Sequence, residues 1–417
     1  MRRRTFAKGL LAASAGSALG MPMIARAASK TISILTWNIP DAADVVNGWI
    51  AAFQAVHPGT EVQWLDKKGP VLPAFYQTQL AAGTPPDIVD IQGGLSVEYA
   101  ADGILLDLTP YLAKQPAVKA RFNQDYLANW VYDSRNYMLP FYISKSLLFF
   151  NKQRFAAAGL SAPADTFDGL MTQAQKLGGS SNSGFLTLNF DWLYWPLYKV
   201  NGIDPFTPDL KRTAFDTDAM IALTDRLAKA TTGGAIDPIS WTGRWVEPLG
   251  AFASGRIGML QAHSPAYYFI KGQAKWVNED TLGVAQFPGY WAVPNSHGLG
   301  ISKGSQNPEL AWEFISFITD HAQAMKFATD RRVLTGNIGV DKALVALLEQ
   351  QDPLGAAVLR TQVEHTDRMT GNWPLANYSR ITNTFWSELQ GALLGRRSAK
   401  DAIASANRQL TRILNES

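Results

Sequence analysis

The stretch NFDWLYWPLYKVNG, residues 189–202, carries five aromatic rings: Phe190, Trp192, Tyr194, Trp195 and Tyr198. Rings at this density fill a core or stand against a ligand, because each offers a large apolar face and, for Trp and Tyr, one polar tip. Pro196 fits the first turn of a helix, where its missing N–H costs nothing. A helix is therefore expected to open near residue 194, with Asp191 and Trp192 in the loop ahead of it. Trp195 and Tyr198, three apart, then share one helix face. The expectation is a division of labour: Asp191 and Trp192 meet a ligand, while Trp195, Pro196, Leu197 and Tyr198 fix that loop to a core.

Other chemistry-bearing patterns fail on context. Gly300 to Gly304 matches G-x-S-x-G around Ser302. A nucleophile elbow needs a sharp strand-to-helix turn, and here the next helix opens only at about Asn307. The histidines His57, His263, His297, His321 and His365 show no H-x-H or H-x-x-x-H spacing, so no zinc site is expected. There is no P-loop and no G-x-G-x-x-G. The absence of cysteine excludes disulfides and thiolate metal sites. The chain is read as a protein without cofactor and not an enzyme. A glycosidase pair of carboxylates about 5–10 Å apart is a property of three dimensions, and Asp191 with Glu247 is the speculative pair.

The elements that must position these residues alternate. KTISILTW (30–37) reads as a strand. The next stretch reads as a helix with Val45, Val46, Trp49, Ile50, Phe53 and Val56 on one face, capped by Asp41 or Asp44 and stopped at Pro58-Gly59. TEVQWL (60–65) is a strand, Leu72 to about Ala82 a helix, and PPDIVDIQ (85–92) a buried strand. Strand, helix, strand, helix, strand is the α/β signature. Further strands flank the polar break Ser144-Lys145-Ser146 and cover 282–289 and 298–302; a helix opens at Asn307-Pro308, and the chain is helical from about Leu344. No repeat, low-complexity segment or disordered linker separates domains, so domains joined by close crossings are expected.

The basic MRRRTFAKG, the small apolar stretch Gly9 to Ile24 and Ala25-Arg26-Ala27 read as a signal peptide, residues 1–27. Arg3-Arg4-Thr5-Phe6-Ala7-Lys8 follows the twin-arginine pattern, which implies export in the folded state. Removal of this segment takes away Arg2, Arg3, Arg4, Lys8 and Arg26 and no acid, so the formal charge falls from +3 to −2. No basic stripe then argues for nucleic acid or an anionic membrane. Without a cysteine after the signal there is no lipid anchor, and a soluble periplasmic protein is expected.

Several motifs in order identify a resemblance: FQAVHPGTEVQW, LAAGTPPDIVDI, GILLDLTPYL, YMLPFYISKSLLFFNKQRFAAAGLSAPADTFDGL, AFASGRIGML, GLGISKGSQNPELAWEFISFI and ALLGRRSAKDAIASA. Across essentially the whole mature chain the sequence resembles the extracellular solute-binding proteins of sugar ABC transporters. It departs from the family pattern at Phe150 for Tyr, Phe167 for Trp and Gly258 for Ala. The resemblance implies a two-lobed α/β periplasmic-binding-protein fold with a ligand cleft: 28–142 plus 293–343 in the first lobe, 143–292 plus 344–417 in the second. It implies a monomer that closes on a carbohydrate by hinge bending and delivers it to a membrane ABC permease.

In such a fold ligands sit beyond the carboxyl ends of the strands. The implied ligand-binding set is Trp37, Asn38, Gln92, Ser144, Asp191, Trp192, His263, Tyr267, Trp291, Arg332 and Trp373, with rings for sugar faces and polar groups for hydroxyls. Trp192 takes the sugar-stacking place by likeness to the maltose-binding members, and Arg332 suits an anionic group. Ser144 stands where those members carry an acid, and the charged pair after their third strand is not reproduced around Gln92, so maltose specificity does not carry over. A polyol or an anionic derivative such as a glycerol phosphate is the alternative ligand within this fold. An exported glycan-active enzyme is the alternative of another class.

Overall fold

The computed structural model describes residues 30–69, 71–214, 217–369 and 373–416, and of Asp191 and Trp192 the backbone alone. The leader of residues 1–27 lies outside the described residues.

Two sheets organise the chain. The first has the order β2-β1-β3-β11-β6, built from β1 (Lys30–Trp37), β2 (Thr60–Lys67), β3 (Ile88–Gln92), β6 (Met138–Tyr142) and β11 (His297–Ile301). The second has the order β10-β7-β9-β8, from β7 (Ser146–Asn151), β8 (Ser183–Leu186), β9 (Ile257–His263) and β10 (Leu282–Ala285). The remaining strands, β4 (Val131–Tyr132) and β5 (Arg135–Asn136), form a small hairpin. β1 pairs in parallel with β2 and β3, as strand–helix–strand crossovers require, whereas β11 runs antiparallel to both β3 and β6. β3 and β7 are apolar and almost wholly buried, because helices cover both of their faces.

Each sheet has its own core. Around the first, Trp49, Phe53, Phe141, Phe314 and Phe327 pack together. Around the second, Phe149, Trp195, Tyr198, Trp241 and Phe385 do the same. The helix Ala43–Val56 buries Val46, Trp49 and Phe53 as its periodicity requires, but its last residue, Val56, is exposed. Neither Asp41 nor Asp44 caps it, since the short turn Pro40–Ala42 leads into the helix. At the helix Pro308–Ile318, Asn307 occupies the cap position, yet its side-chain amide donates to Thr31 O (3.1 Å) on β1. A tertiary partner has displaced the local one.

The chain passes from the first sheet to the second through residues 143–145 and returns through residues 286–296. The expected lobe limit between residues 343 and 344 falls inside the continuous helix Ile338–Gln351, which packs on the helix His321–Arg331. Residues 364–369 run beside these crossings, where Met369 bridges to Ala292 and the Lys145 ammonium donates to Glu364 O. Burial pushes Lys145 down to about 8, against the pull of Glu364 and Asp367. Among the described residues no helix is long and apolar enough to cross a membrane.

Gly184 on β8 tests how closely helix and sheet are packed. A Cβ there would lie 1.9 Å from Ala174 O, a backbone atom of the helix Phe167–Leu177 that has nowhere to move. Gly184→Ala should lower the unfolding free energy by about 1–3 kcal/mol. Gly179→Ala, where a Cβ would meet nothing within 4 Å, should be close to neutral, and urea titration of the two variants checks both outcomes.

Candidate functional site

Between the two sheets lies a cleft of about 890 Å³. The first wall begins with Asp90 on β3, which is fully buried. One carboxylate oxygen accepts from the Trp37 backbone N–H (3.0 Å), and the other pairs with His297 Nδ1 (2.8 Å). Asp90 therefore ties together the ends of β1, β3 and β11. The result is an aromatic floor: His297 stacks on Tyr142 at 4.2 Å and meets the Trp37 ring edge-on at 5.5 Å. Asn38 follows Trp37 in the left-handed region (φ 54°), a conformation that Asn tolerates better than most residues. It turns the chain along the rim.

The second wall is carried by the helix Asp191–Lys199 and by β9. Buried Gln261 holds that helix in place, donating to Leu193 O (2.9 Å) and accepting from Thr187 Oγ1 (2.8 Å). Phe190 and Tyr194 then line the cleft. Phe190 packs on Trp245 (6.1 Å), Trp245 on His263 (4.7 Å), and Tyr194 stacks with Trp386 (6.0 Å). Trp386 comes from the helix Tyr378–Leu393, whose first two turns also lend Tyr378, Ser379, Thr382 and Asn383 to the lining. Gly94 lets this helix reach the opposite wall: a Cβ there would lie 2.4 Å from the Tyr378 ring. Glu98 accepts from the Ser379 N–H (2.6 Å) in the same contact.

Of the expected ligand set, Trp37, Asn38, Gln92, Ser144 and His263 come together in this lining. Tyr267 is fully buried, its hydroxyl donating to Asp352 (2.7 Å), which also takes Lys271 (2.9 Å). Trp291 stands at the return crossing between Lys199 (5.0 Å) and Arg368 (5.4 Å). Trp373 meets Trp195 (5.0 Å) and Phe206 (5.1 Å) at the second core. None of these three is among the lining residues. Arg332 ends its helix in the left-handed region (φ 53°), which turns its guanidinium over Tyr268 at 5.0 Å; the preceding Arg331 lines the cleft instead. The side chains of Asp191 and Trp192 lie outside the described residues.

The ring-rich stretch is divided differently from the expectation. Its helix opens at Asp191, not near residue 194, and carries Pro196 inside it. Trp195 and Tyr198 are buried, at 1% and 2% exposure, while Phe190 and Tyr194 take the cleft side. Tyr142, Trp245, Asn295, His297 and Trp386 are lining residues that the strand-end rule passed over. His297 opens an antiparallel strand, and Trp386 lies mid-helix, so neither follows a strand's carboxyl end.

Desolvation between the walls, aided by nearby His297, pushes His263 down to about 3. Among the described residues, Arg331 is the one ordinary charge in the lining, and no Asp or Glu appears there. Its guanidinium is 3.7 Å from the exposed Asp41 carboxylate. Ser302 is fully buried and engaged with Tyr76 (2.8 Å) and Pro86 O, away from the cleft, as a structural hydroxyl.

A two-sheet molecule with a lined cleft between the sheets and close crossings beside it is a ligand-binding architecture. The chain belongs to the bacterial extracellular solute-binding protein family, whose sequence model matches residues 37–325. A binding protein of Brucella abortus (strain 2308) is 25% identical over 299 residues, 69% of this chain and 71% of its own. Among solved structures, an ABC transporter solute-binding protein of Thermotoga lettingae, bound with alpha-D-tagatose, superposes with a TM-score of 0.76. Its identity is 21%, covering 93% of this chain and 100% of that one. An ABC substrate-binding protein of Listeria monocytogenes in complex with cycloalternan gives 0.78 at 21% identity, over 93% of this chain and 99% of that one. At these identities the likeness establishes the fold.

A histidine held neutral in the folded protein contributes stability that is lost as pH falls below the unfolded value, since the unfolded chain then binds the extra proton. Between pH 6.5 and about 3, the unfolding free energy of wild type should fall more steeply than that of His263→Gln. Parallel curves in denaturant titrations would contradict this environment for His263.

Proposed function

We propose that the chain is the periplasmic substrate-binding component of an ABC importer, that it binds a carbohydrate between its lobes, and that it delivers it to the membrane permease. Residues 1–27 act as a twin-arginine signal, and the mature protein works as a monomer, closing about the passages at 143–145 and 286–296. The observation that carries the ligand class is the lining itself. Trp37 and Tyr142 stand on one wall and Phe190, Tyr194, Trp245 and Trp386 on the other, interleaved with Asn38, Gln92, Asn189, Asn295 and Asn383. Rings pair with the C–H faces of a sugar, and amides serve as both donor and acceptor for its hydroxyls. A volume of about 890 Å³ is at the upper end of the usual ligand-site range of about 300–1,000 Å³, which favours an oligosaccharide over a single ring.

Arg331 supports a second reading, in which the ligand is a sugar derivative carrying an anionic group. A thermal-shift screen over neutral oligosaccharides, polyols and anionic sugar derivatives separates the two. A ligand at 100 times its Kd adds about 2.7 kcal/mol to stability. Neutral oligosaccharides should shift the melting curve; a response confined to polyols or anionic compounds would remove the carbohydrate reading. Labelled oligosaccharides incubated with the pure protein should stay intact, and turnover would favour a glycan-active enzyme.

Trp245→Ala should weaken binding of the best oligosaccharide in that screen about tenfold or more, with little loss of stability. Trp195→Ala should do the reverse, costing about 3–5 kcal/mol of unfolding free energy in denaturant titration.

A further inference from the structure

Two imidazoles face the cleft from opposite lobes, and they are held differently. His263, in the second wall, lies against Trp245 at 4.7 Å. His297, in the first wall, has its Nδ1 committed to Asp90 at 2.8 Å. Asp90 is fully buried and His297 is only 6% exposed, so water competes little for this bond. The stacked Tyr142 and the edge-on Trp37 fix the plane of the ring. With Nδ1 taken and the ring clamped, any contact of His297 with a ligand passes through Nε2.

A carboxylate is an acceptor alone, so of the two neutral tautomers it selects the one with the proton on Nδ1, in which Nε2 is the acceptor. Each sugar hydroxyl that enters the cleft brings a proton to donate. Arg331 can only donate, and the amides and hydroxyls of the lining offer acceptors of ordinary strength. No Asp or Glu appears among the described lining residues, which makes a fixed imidazole nitrogen the strongest acceptor described there.

Resting on the carbohydrate reading, we infer that His297 is a specificity-determining ligand contact, its Nε2 accepting a hydrogen bond from one sugar hydroxyl, and that Asp90 is its positioning residue. The pair supplies from the first wall the acceptor that a carboxylate on the surface would supply, with the negative charge buried behind the ring at Asp90. It also makes the aromatic floor and the polar contact one unit, since the carboxylate that sets the tautomer anchors the Trp37 backbone as well.

Two measurements test this on the whole mature protein. Five histidines allow assignment of the imidazole nitrogens by ¹⁵N-detected correlation spectra. His297 should show the Nδ1–H tautomer in wild type and the Nε2–H tautomer in Asp90→Asn, whose amide can donate to Nδ1. An Nε2–H tautomer in wild type would overturn the inference. The second measurement is calorimetric binding of maltose, maltotriose, cellobiose, xylobiose and raffinose. His297→Asn keeps a donor for Asp90 but cannot reach the cleft, so it should lose about tenfold or more in affinity for whichever of these binds wild type. His297→Gln, which restores a carbonyl near the Nε2 position, should recover part of the loss. Should Asp90→Asn not fold, the two His297 variants and the wild-type tautomer decide the matter. Unchanged affinity in His297→Asn, with sugar binding intact, overturns this inference alone; a panel in which nothing binds removes the carbohydrate reading and the inference with it.

Discussion

Ser144 and Asn295 donate their backbone N–H groups to each other's carbonyls, at 3.2 and 2.7 Å, at the point where the outgoing and returning segments lie side by side. The Ser144 hydroxyl adds a third bond to Asn295 O (3.0 Å), and the Asn295 side chain accepts from Gln92 Nε2 (2.7 Å) at the end of β3. The Gly93 N–H donates to Ser296 O (3.0 Å) beside them. Connection and cleft are therefore the same residues. Ser144, Gln92, Gly93 and Asn295 all line the cavity, so a ligand there touches the groups that join the lobes. A hinge of this kind can be biased by a ligand that contacts both sides, because only differential interaction with the two states shifts their populations.

The walls follow from that junction. β11 leaves it running antiparallel, which sets His297 against Gln92 and Tyr142 in register and brings its ring to Asp90. β7 leaves in the opposite direction and pairs Ser146 with His263, so the second imidazole arrives at the same level from the other lobe. Two sheets joined beside these crossings thus present their ends to each other across a gap lined by rings and amides. The buried Asp90 and His297 of the first wall are paired with each other, as burial away from water demands.

Local signals made the α/β framework legible. β1, β2 and β3, the polar break at Ser144 and the face of Trp49 and Phe53 were all visible as periodicity and punctuation. Strand ends pointed to Trp37, Asn38, Gln92, Ser144 and His263, because a parallel strand's carboxyl end must open toward the cleft. What was not legible depended on partners distant in sequence. His297 sits at the start of an antiparallel strand, and Trp386 reaches the cleft from a helix near the carboxyl terminus. Pro196 sits within a helix that Gln261 secures from β9, a support that local propensity cannot report. Arg331 and Arg332 are indistinguishable as sequence; the left-handed backbone at Arg332 alone decides which of them faces the cleft.

The most direct test of the central claim is a distance between the lobes in solution, with and without sugar. The chain has no cysteine, so two introduced thiols can be labelled cleanly. Val71 and Val246 are both exposed, the first beside the Trp37 rim and the second beside Trp245. Spin labels at these positions, read by pulsed dipolar spectroscopy, should report a single shift to a shorter distance when the oligosaccharide that most raises the melting temperature is added. A distance distribution unchanged by that sugar at saturation would contradict a cleft that closes on its ligand.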